Sequence, residues 1–347
     1  MKKYFDVYKT IKNKIISGEY PCNYKLPSKR TLADISGCSV ITIEKAYGML
    51  LDEGYIISRE RSGYFVCMID GLLENKDSTS YEKLNYIQDD VVNTGTDFEY
   101  SLWFKTTRKV ISEYGEKLFV KSPNKGCAVL RNAIADYLLR YRGMRAEPER
   151  IIIGSGAEQL YQNIVQILGR DRIYGIENPC YEQIEAVYKG EEAKVVKLKM
   201  GKEGIDDQKI YDADVLHVTP FHSYPTGVTT SISKRYEYLK WATDEKYIIE
   251  DDFDSEFFMP GQPIESLYSL DSRSRVIYVN TFSKSISPAM RMGYMILPNE
   301  LIKEYDRKLG NFSCTVPVME QYILAEFIKS GNFERHLNRV RRKMKQL

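Results

Sequence analysis

The chain has 347 residues, of which 43% are hydrophobic and 28% are charged, and its formal net charge is +2. This composition is typical of a globular protein and excludes a disordered chain, while the length favours two domains with a sizeable core. The chain contains no apolar run of membrane-spanning length, and its first ten residues lack the apolar core of a signal peptide, so we expect a cytoplasmic protein without membrane contact.

The first 66 residues combine excess positive charge with a pattern of short helices. They contain 11 lysines and arginines against 7 acidic residues, a net of +4. Apolar residues recur at helical spacing at Val7, Ile11, Ile15 and Ile16. Ser28 and Ser39 are typical N-caps of two further helices, the second ending at Gly54, and residues 55–66 alternate as two strands around a turn. This order is the plan of a winged helix-turn-helix, which places the second of its paired helices in the major groove. A small helical domain that dimerises through its hairpin is the alternative.

The segment also resembles the GntR DNA-binding domain, because the LPS-x-R motif of that family is present at residues 26–30. The resemblance implies contacts with phosphates or bases at Ser28, Lys29, Arg30, Ser39, Thr42, Lys45, Tyr47, Arg59 and Arg61. Two positions depart from the family pattern, which usually has Arg at Val40 and often Gly at Arg61. An arginine that binds guanine is worth about 1–3 kcal/mol of discrimination, so we expect the operator to differ from that of relatives with Arg.

Residues 68–97 are polar and lack sustained apolar periodicity. They predict a flexible linker between a DNA-binding domain, residues 1–67, and a larger domain, residues 98–330. Residues 331–347 form a basic amphipathic segment that predicts the start of a further, small domain.

Residues 151–160, IIIGSGAEQL, predict a strand, a glycine-rich turn and a helix. Such a turn directs backbone N–H groups and the positive end of the helix towards an anion. Ser155, Gly156 and Ala157 are therefore a candidate phosphate site, with the hydroxyls of Thr281 and Ser283 as further donors. A tight strand-to-helix connection without a ligand is the alternative.

Three more side chains suit a flat cofactor that carries an aldehyde. Lys284 follows a β-branched strand and could form an imine with a carbonyl, and Asp251 ends another such strand, where it could pair with a pyridinium nitrogen. Tyr181 could stack on the ring. Each has a simpler interpretation as a solvated lysine, an acidic turn or a packing tyrosine.

The order of these motifs resembles the fold-type I aminotransferases, and details at residues 126–143, 219–227, 250–257 and 281–294 are similar to the MocR subfamily of GntR-type regulators. The resemblance implies an α/β domain with a mostly parallel sheet and helices on both faces, and pyridoxal 5'-phosphate bound to Lys284. It implies a phosphate site formed by Ser155, Gly156, Ala157, Thr281, Ser283 and Arg291. It also places His222 near the ring and implies a homodimer, because such dimers build their cofactor sites at the subunit interface.

Two features depart from the family pattern. Phe253 stands where relatives usually have a tyrosine that donates to the ring oxygen of the cofactor. Tyr224, by contrast, stands where ordinary aminotransferases have Asn, but this substitution is normal in the regulator subset and so favours regulation over metabolism. Relatives also continue beyond the position of Leu347 into a small domain that closes over the cofactor. Either the sequence is a piece of a longer protein or this protein lacks that lid, and in both cases we do not expect a complete transamination site.

The six cysteines are scattered without metal-binding spacing and the three histidines do not cluster, so we expect reduced thiols and no metal site. The favoured hypothesis is a regulator that binds a double-stranded DNA operator and senses an amine, an amino acid or the vitamer itself through pyridoxal phosphate. A pyridoxal-phosphate aminotransferase with a fused DNA-binding head is the second hypothesis. A scaffold with a decayed cofactor site is the third.

Overall fold

A computed structural model describes residues 3–59, 62–67, 98–243, 245–257 and 265–344. The chain divides into two compact units, Met1–Val91 and Val92–Leu347. The predicted linker at residues 68–97 and the predicted DNA contact Arg61 lie outside the described residues.

The first unit consists of three helices and a two-stranded antiparallel sheet, in the order that the sequence predicts. The elements are α1 (Lys3–Ile16), α2 (Lys29–Ser36), α3 (Val40–Asp52), β1 (Ile56–Arg59) and β2 (Gly63–Val66). Both predicted caps are confirmed. The hydroxyl oxygen of Ser28 accepts a hydrogen bond from the backbone N–H of Thr31, and that of Ser39 accepts one from Thr42. Gly37 ends α2 with a φ of 63°, a conformation that glycine adopts without strain.

The structure contradicts one predicted DNA contact, Tyr47. Its ring is fully buried in the core of the first unit, and its hydroxyl donates a hydrogen bond of 2.8 Å to the backbone oxygen of Pro27. Tyr47 lies four residues after Ile43 and three before Leu50, so all three occupy the inner face of α3. Tyr47 therefore stabilises the domain and is not available to DNA.

We expect Tyr47→Phe to lower the free energy of unfolding of the first unit by about 1 kcal/mol, because one buried hydrogen bond is lost. The affinity for DNA should stay unchanged. The measurements are a circular-dichroism melt and binding to duplexes selected from a random-sequence pool. Tyr24→Phe, at an exposed tyrosine of the same unit, is the control. A loss of affinity without a change in melting would restore Tyr47 as a DNA contact.

The second unit is built on a mixed sheet, seven-stranded within the described residues. Its strands are β3 (Ile151–Gly154), β4 (Ile173–Asn178), β5 (Lys194–Lys199), β6 (Val215–Val218), β7 (Tyr247–Asp251), β8 (Val276–Thr281) and β9 (Gly293–Ile296). Their spatial order is β3-β9-β8-β7-β6-β4-β5, and β9 runs antiparallel to both of its neighbours while the other pairs are parallel. The expected mostly parallel sheet is confirmed.

Nine α-helices of the described second unit surround or connect the strands. They are α4 (Tyr100–Tyr114), α5 (Ala128–Arg142), α6 (Ala157–Leu168), α7 (Glu182–Gly190), α8 (Ile232–Trp241), α9 (Leu267–Leu270), α10 (Asn299–Leu309), α11 (Val318–Lys329) and α12 (Asn332–Met344). Short 3₁₀ turns cover Gly115–Phe119, Pro148–Arg150, Gln208–Asp212 and Pro288–Met290. Within the ranges that the structure describes, none of the helices has the length and apolar character needed to cross a bilayer.

Both faces of the sheet are buried, which explains why its strands are nearly continuous apolar runs. On β8, Ile277 and Val279 pack in one cluster with α6, α7 and α10, whereas Tyr278 packs on the opposite face with α5, α11 and α12. Two side chains of α12, Phe333 and Leu337, are completely buried in that second cluster. The segment predicted to begin a small domain thus contributes to the core of the large unit.

A buried acidic network lies just after β7. The guanidinium of Arg142 contacts Asp252 Oδ2 at 2.9 Å, the Tyr278 hydroxyl donates to the same oxygen at 2.6 Å, and Glu256 accepts from the Asn280 side chain at 3.0 Å. Burial, reinforced by the negative charge of Asp252, raises the pKa of Glu256 above its ordinary value of 4.5. The protonated form of Glu256 is therefore favoured by folding.

We expect the large unit to lose stability as pH rises through the interval above the ordinary pKa of Glu256, because folding then requires a proton that the unfolded chain has released. The Glu256→Gln side chain has nearly the same shape as glutamate but needs no proton in order to be neutral. The free energy of unfolding of this variant should therefore fall less between about pH 5 and about pH 8 than that of the unaltered protein. Urea unfolding followed by tryptophan fluorescence measures this, because both tryptophans of the chain, Trp103 and Trp241, belong to the large unit. If the free energy of unfolding depended equally on pH in the two proteins, the raised pKa of Glu256 would not be the cause of the pH dependence.

Candidate functional site

A cavity of about 360 Å³ lies where the parallel strands end. Asp251 at the end of β7 and Thr281 at the end of β8 line it, together with the first residue of α6, Ala157. Parallel strands bring their carboxyl ends to one edge of a sheet, where ligands of α/β proteins bind. Seven of the sequence-predicted cofactor residues line this cavity: Ala157, Tyr181, Asp251, Thr281, Ser283, Lys284 and Arg291.

Asp251 is buried, with only one of its carboxylate oxygens engaged. The Tyr161 hydroxyl donates to Oδ2 at 2.5 Å, and Nε2 of His217 lies 3.6 Å from the same oxygen, too far for a hydrogen bond. Burial and the nearby carboxylate raise the pKa of Tyr161 well above its ordinary value of 10, so its hydroxyl keeps its proton. Oδ1 has no hydrogen-bond partner in the described part of the chain. Asp251 thus retains a buried acceptor beside the cavity.

Lys284 forms an ion pair with Asp254, a residue that was not among the predicted site residues. Its Nζ donates to Asp254 Oδ2 at 2.9 Å and lies 4.8 Å from the centre of the Phe253 ring. Its side chain is 48% exposed. The reason is local: β8 ends at Thr281, and Lys284 belongs to the turn that follows.

His222 shares the same carboxylate. Its Nδ1 lies 2.8 Å from Asp254 Oδ2, and its ring stacks near Phe253 at 6.4 Å. Because a carboxylate accepts hydrogen bonds, this nitrogen carries the proton in the contact. The structure therefore places His222 beside Asp254, outside the lining of the cavity. The sequence analysis missed Asp254, although it stands in the acidic run at residues 250–257.

Several residues of the predicted phosphate site lie around the first turn of α6. Gly156 has a φ of 105°, a conformation that favours glycine, and the guanidinium of Arg291 lies beside it. Arg291 pairs with Glu158 at 3.0 Å. The backbone N–H of Ser155 is bonded to the side chain of Gln159 at 2.9 Å. Ser155 and Gly156 adjoin the cavity lining through Ala157 without belonging to it.

Aromatic rings line the side of the cavity near α7. Tyr181 immediately precedes that helix, is half exposed, and meets Tyr224 edge to face at 6.1 Å. Phe253 also lines the cavity. Its ring offers a packing surface but no hydroxyl donor.

Glu177 is a further buried acid of the lining that the sequence analysis missed. It accepts hydrogen bonds from the backbone N–H of Thr219 at 3.1 Å and from the hydroxyl of Ser223 at 2.7 Å. Burial raises its pKa, while these hydrogen bonds act in the opposite direction. Glu177 connects β4 to the segment after β6, and so fixes one wall of the cavity.

The candidate DNA interface of the first unit surrounds the turn between α2 and α3. Ser28, Arg30, Ser39 and Lys45 are exposed, and Thr42 is half-buried. Two other predicted contacts have protein partners: Lys29 pairs with Glu44 at 2.5 Å, and Arg59 donates to the Asn23 side chain at 3.0 Å. A cation paired in this way has to exchange its partner before it can contact a phosphate.

Comparisons with known proteins match both units. Residues 3–66 match the family described as bacterial regulatory proteins, gntR family, and residues 101–347 match aminotransferase class I and II. The uncharacterized HTH-type transcriptional regulator YdeL of Bacillus subtilis is 36% identical over 98% of this chain and 76% of its own length. The probable rhizopine catabolism regulatory protein MocR of Rhizobium meliloti is 27% identical over 97% of this chain and 73% of its own length.

A solved structure supports the fold of the large unit. LysN, the alpha-aminoadipate aminotransferase of Thermus thermophilus, complexed with N-(5'-phosphopyridoxyl)-L-leucine, superposes with a TM-score of 0.61 at 26% identity. The alignment covers 71% of this chain and 64% of that enzyme, so the chain spans less than two thirds of the aminotransferase. The chain belongs to the helix-turn-helix transcriptional regulators that join a gntR-family domain to a class I and II aminotransferase domain, the group that includes MocR.

Proposed function

We propose that this regulator holds pyridoxal 5'-phosphate in the cavity at the end of β7 and β8, and that an amine, an amino acid or a vitamer acts on it there to change DNA binding. Lys284 is the residue that attaches the cofactor. The first unit binds a double-stranded operator through the start of α3. The likeness to LysN, which was solved with a phosphopyridoxyl adduct, supports the choice of cofactor.

The observation that carries the proposal is the free acceptor on Asp251. Oδ1 is buried without a partner in the described part of the chain, and such an oxygen costs about 1–3 kcal/mol unless a donor satisfies it. The protonated nitrogen of a pyridine ring is a donor of matching charge. Tyr161, which occupies the other oxygen, and the adjacent His217 keep the carboxylate in place. The residues present therefore fit this cofactor.

The other parts of the site fit the remaining groups of the cofactor. When bound, pyridoxal phosphate supplies an aldehyde that condenses with amines and a ring that withdraws electrons. Lys284 presents its amine to the cavity and holds it against Asp254. Arg291, the start of α6 and the hydroxyls of Thr281 and Ser283 form an anion site, in which a phosphate competes with Glu158 for the guanidinium.

We also propose a homodimer, because the resemblance to aminotransferases implies a site completed at a subunit interface. We propose a cytoplasmic location as well, because the proposed partner is an operator in DNA. The match of residues 101–347 to aminotransferases keeps an enzyme as the second candidate function.

The cofactor proposal predicts a loss of covalent labelling when Lys284 is changed and a loss of cofactor affinity when Asp251 is changed. Lys284→Ala should abolish borohydride-stable labelling with pyridoxal phosphate, because it removes the amine. Asp251→Asn should keep the labelling but weaken cofactor affinity by about ten-fold or more, because a charged hydrogen bond contributes about 1.5–3 kcal/mol. Peptide mass analysis locates the label, and an absorbance titration gives the affinity.

Lys303→Ala is a matched control for the lysine, because Lys303 is exposed on α10, outside the lining of the cavity. It should label as the unaltered protein does. A folded protein that stays colourless with added cofactor would contradict the proposal and leave the large unit as a scaffold.

A regulator and an enzyme should respond differently to an added amine. A regulator should change its affinity for a selected operator duplex when amines or amino acids are added, and Lys284→Ala should remove that response while retaining basal DNA binding. The response requires the ligand to favour one of two states of the protein. Fluorescence anisotropy measures it, and the control is again Lys303→Ala.

An enzyme would instead convert an amino donor and a keto acid over many turnovers, which chromatography detects. Sustained turnover without any effect on DNA affinity would favour the enzyme. A response that persists in Lys284→Ala would contradict sensing through this amine.

A further inference from the structure

The end of α2 and the start of α3 expose three aliphatic side chains within seven residues of the chain, Ile35, Val40 and Ile41, which are named here the apolar patch. These side chains are 73%, 42% and 66% exposed, respectively. They flank a turn of three residues, Gly37–Ser39, at the position where a helix-turn-helix meets the major groove. We propose that this patch recognises the 5-methyl groups of thymines in the operator. The inference rests on the proposed DNA binding.

The exposure of the patch is not a by-product of a poorly packed domain. The inner face of α3 buries Ile43, Tyr47 and Leu50 completely, so the core is already formed by other residues of the same helix. Val40 and Ile41 are the first two residues of α3, directly after its N-cap Ser39. The core cluster of the described first unit therefore does not include Val40 or Ile41.

The surroundings of the patch match a nucleic acid. Hydroxyl side chains lie beside it at Ser39 and Thr42, and exposed cations at Arg30 and Lys45 have no ion pair within residues 3–59 and 62–67. The sequence up to residue 66 carries 11 lysines and arginines against 7 acidic residues. Hydroxyls and cations around an apolar centre suit phosphates around base edges better than they suit the apolar surface of another protein.

The chemistry of the groove then selects the base. Valine and isoleucine side chains have no hydrogen-bond donors, so they cannot bind guanine as an arginine does. The thymine methyl group is the apolar feature that the major groove offers, and aliphatic side chains contact it. Val40 and Ile41 therefore favour A·T pairs at the positions that they reach, and Ile35 is a third exposed aliphatic side chain beside the same turn.

The test uses the full chain and a pool of random-sequence duplexes, from which bound duplexes are selected and sequenced. In the selected duplex, each thymine is replaced in turn by deoxyuridine, which lacks only the methyl group. We expect at least one replacement in each half-site to weaken binding about four-fold, the effect of losing one buried methyl group. 5-Methylcytosine at the neighbouring cytosines controls for methyl groups in general.

Two variants connect the effect to the patch. Val40→Ala combined with Ile41→Ala should bind thymine and deoxyuridine duplexes with equal affinity, and Val40→Arg should select duplexes that gain guanine at the corresponding position. Ile16→Ala is the matched control, because Ile16 is an exposed isoleucine at the end of α1. It should keep the full preference for thymine. Melting temperatures should stay unchanged, since all of these side chains are exposed.

The outcomes separate this inference from the function on which it rests. If no duplex is enriched, the proposed DNA binding fails and the inference fails with it. If duplexes are enriched but every deoxyuridine replacement changes affinity less than two-fold, only the thymine contact is overturned. A thymine preference that survives in the double alanine variant also overturns it. If that variant changes the sedimentation of the DNA-free protein, the patch is a protein interface and the inference is wrong.

Discussion

The buried carboxylate of Asp251 organises the large unit around its cavity. It ends β7, beside the parallel strand β8, and the register of those two strands fixes its distance from the turn that carries Lys284. A buried carboxylate needs hydrogen-bond donors from its neighbours, and Tyr161 supplies one from α6, the helix that follows the glycine-rich turn. One side chain thereby links the sheet, the helix and the glycine-rich turn. The remaining oxygen, Oδ1, is a buried acceptor without a partner in the described part of the chain.

Local signals in the sequence were sufficient for the elements and for several site residues. Ser28 and Ser39 are caps whose partners lie three residues away, so their roles follow from the local sequence alone. The contacts of Asp251 with Tyr161 and of Glu177 with Thr219 span 90 and 42 residues, and no periodic pattern reveals such pairs. The error at Tyr47 was avoidable, because its spacing from Ile43 and Leu50 already indicated the buried face of α3.

In each unit one apolar side chain stands where the family resemblance leads us to expect a polar one. These side chains are Val40 at the start of α3, in place of an expected arginine, and Phe253 beside the cavity, in place of an expected tyrosine. Neither change disrupts the scaffold: α3 keeps its cap, and Phe253 packs near the amine of Lys284 and the ring of His222. Membership of a family of regulators is consistent with a site that retains recognition elements without every group that an aminotransferase uses.

Asp254 links Lys284, which lines the cavity, to His222, which lies outside its lining. One of its oxygens accepts from both Lys284 and His222, so the two side chains share a single acceptor. A reaction at the amine of Lys284 that removes this hydrogen bond would leave the acceptor to His222 alone. The segment after β6, which carries His222 and is fastened to Glu177, then experiences a different local field. Attachment of a ligand at Lys284, as proposed above, would therefore change the electrostatic environment of this neighbouring segment without any direct contact from the ligand.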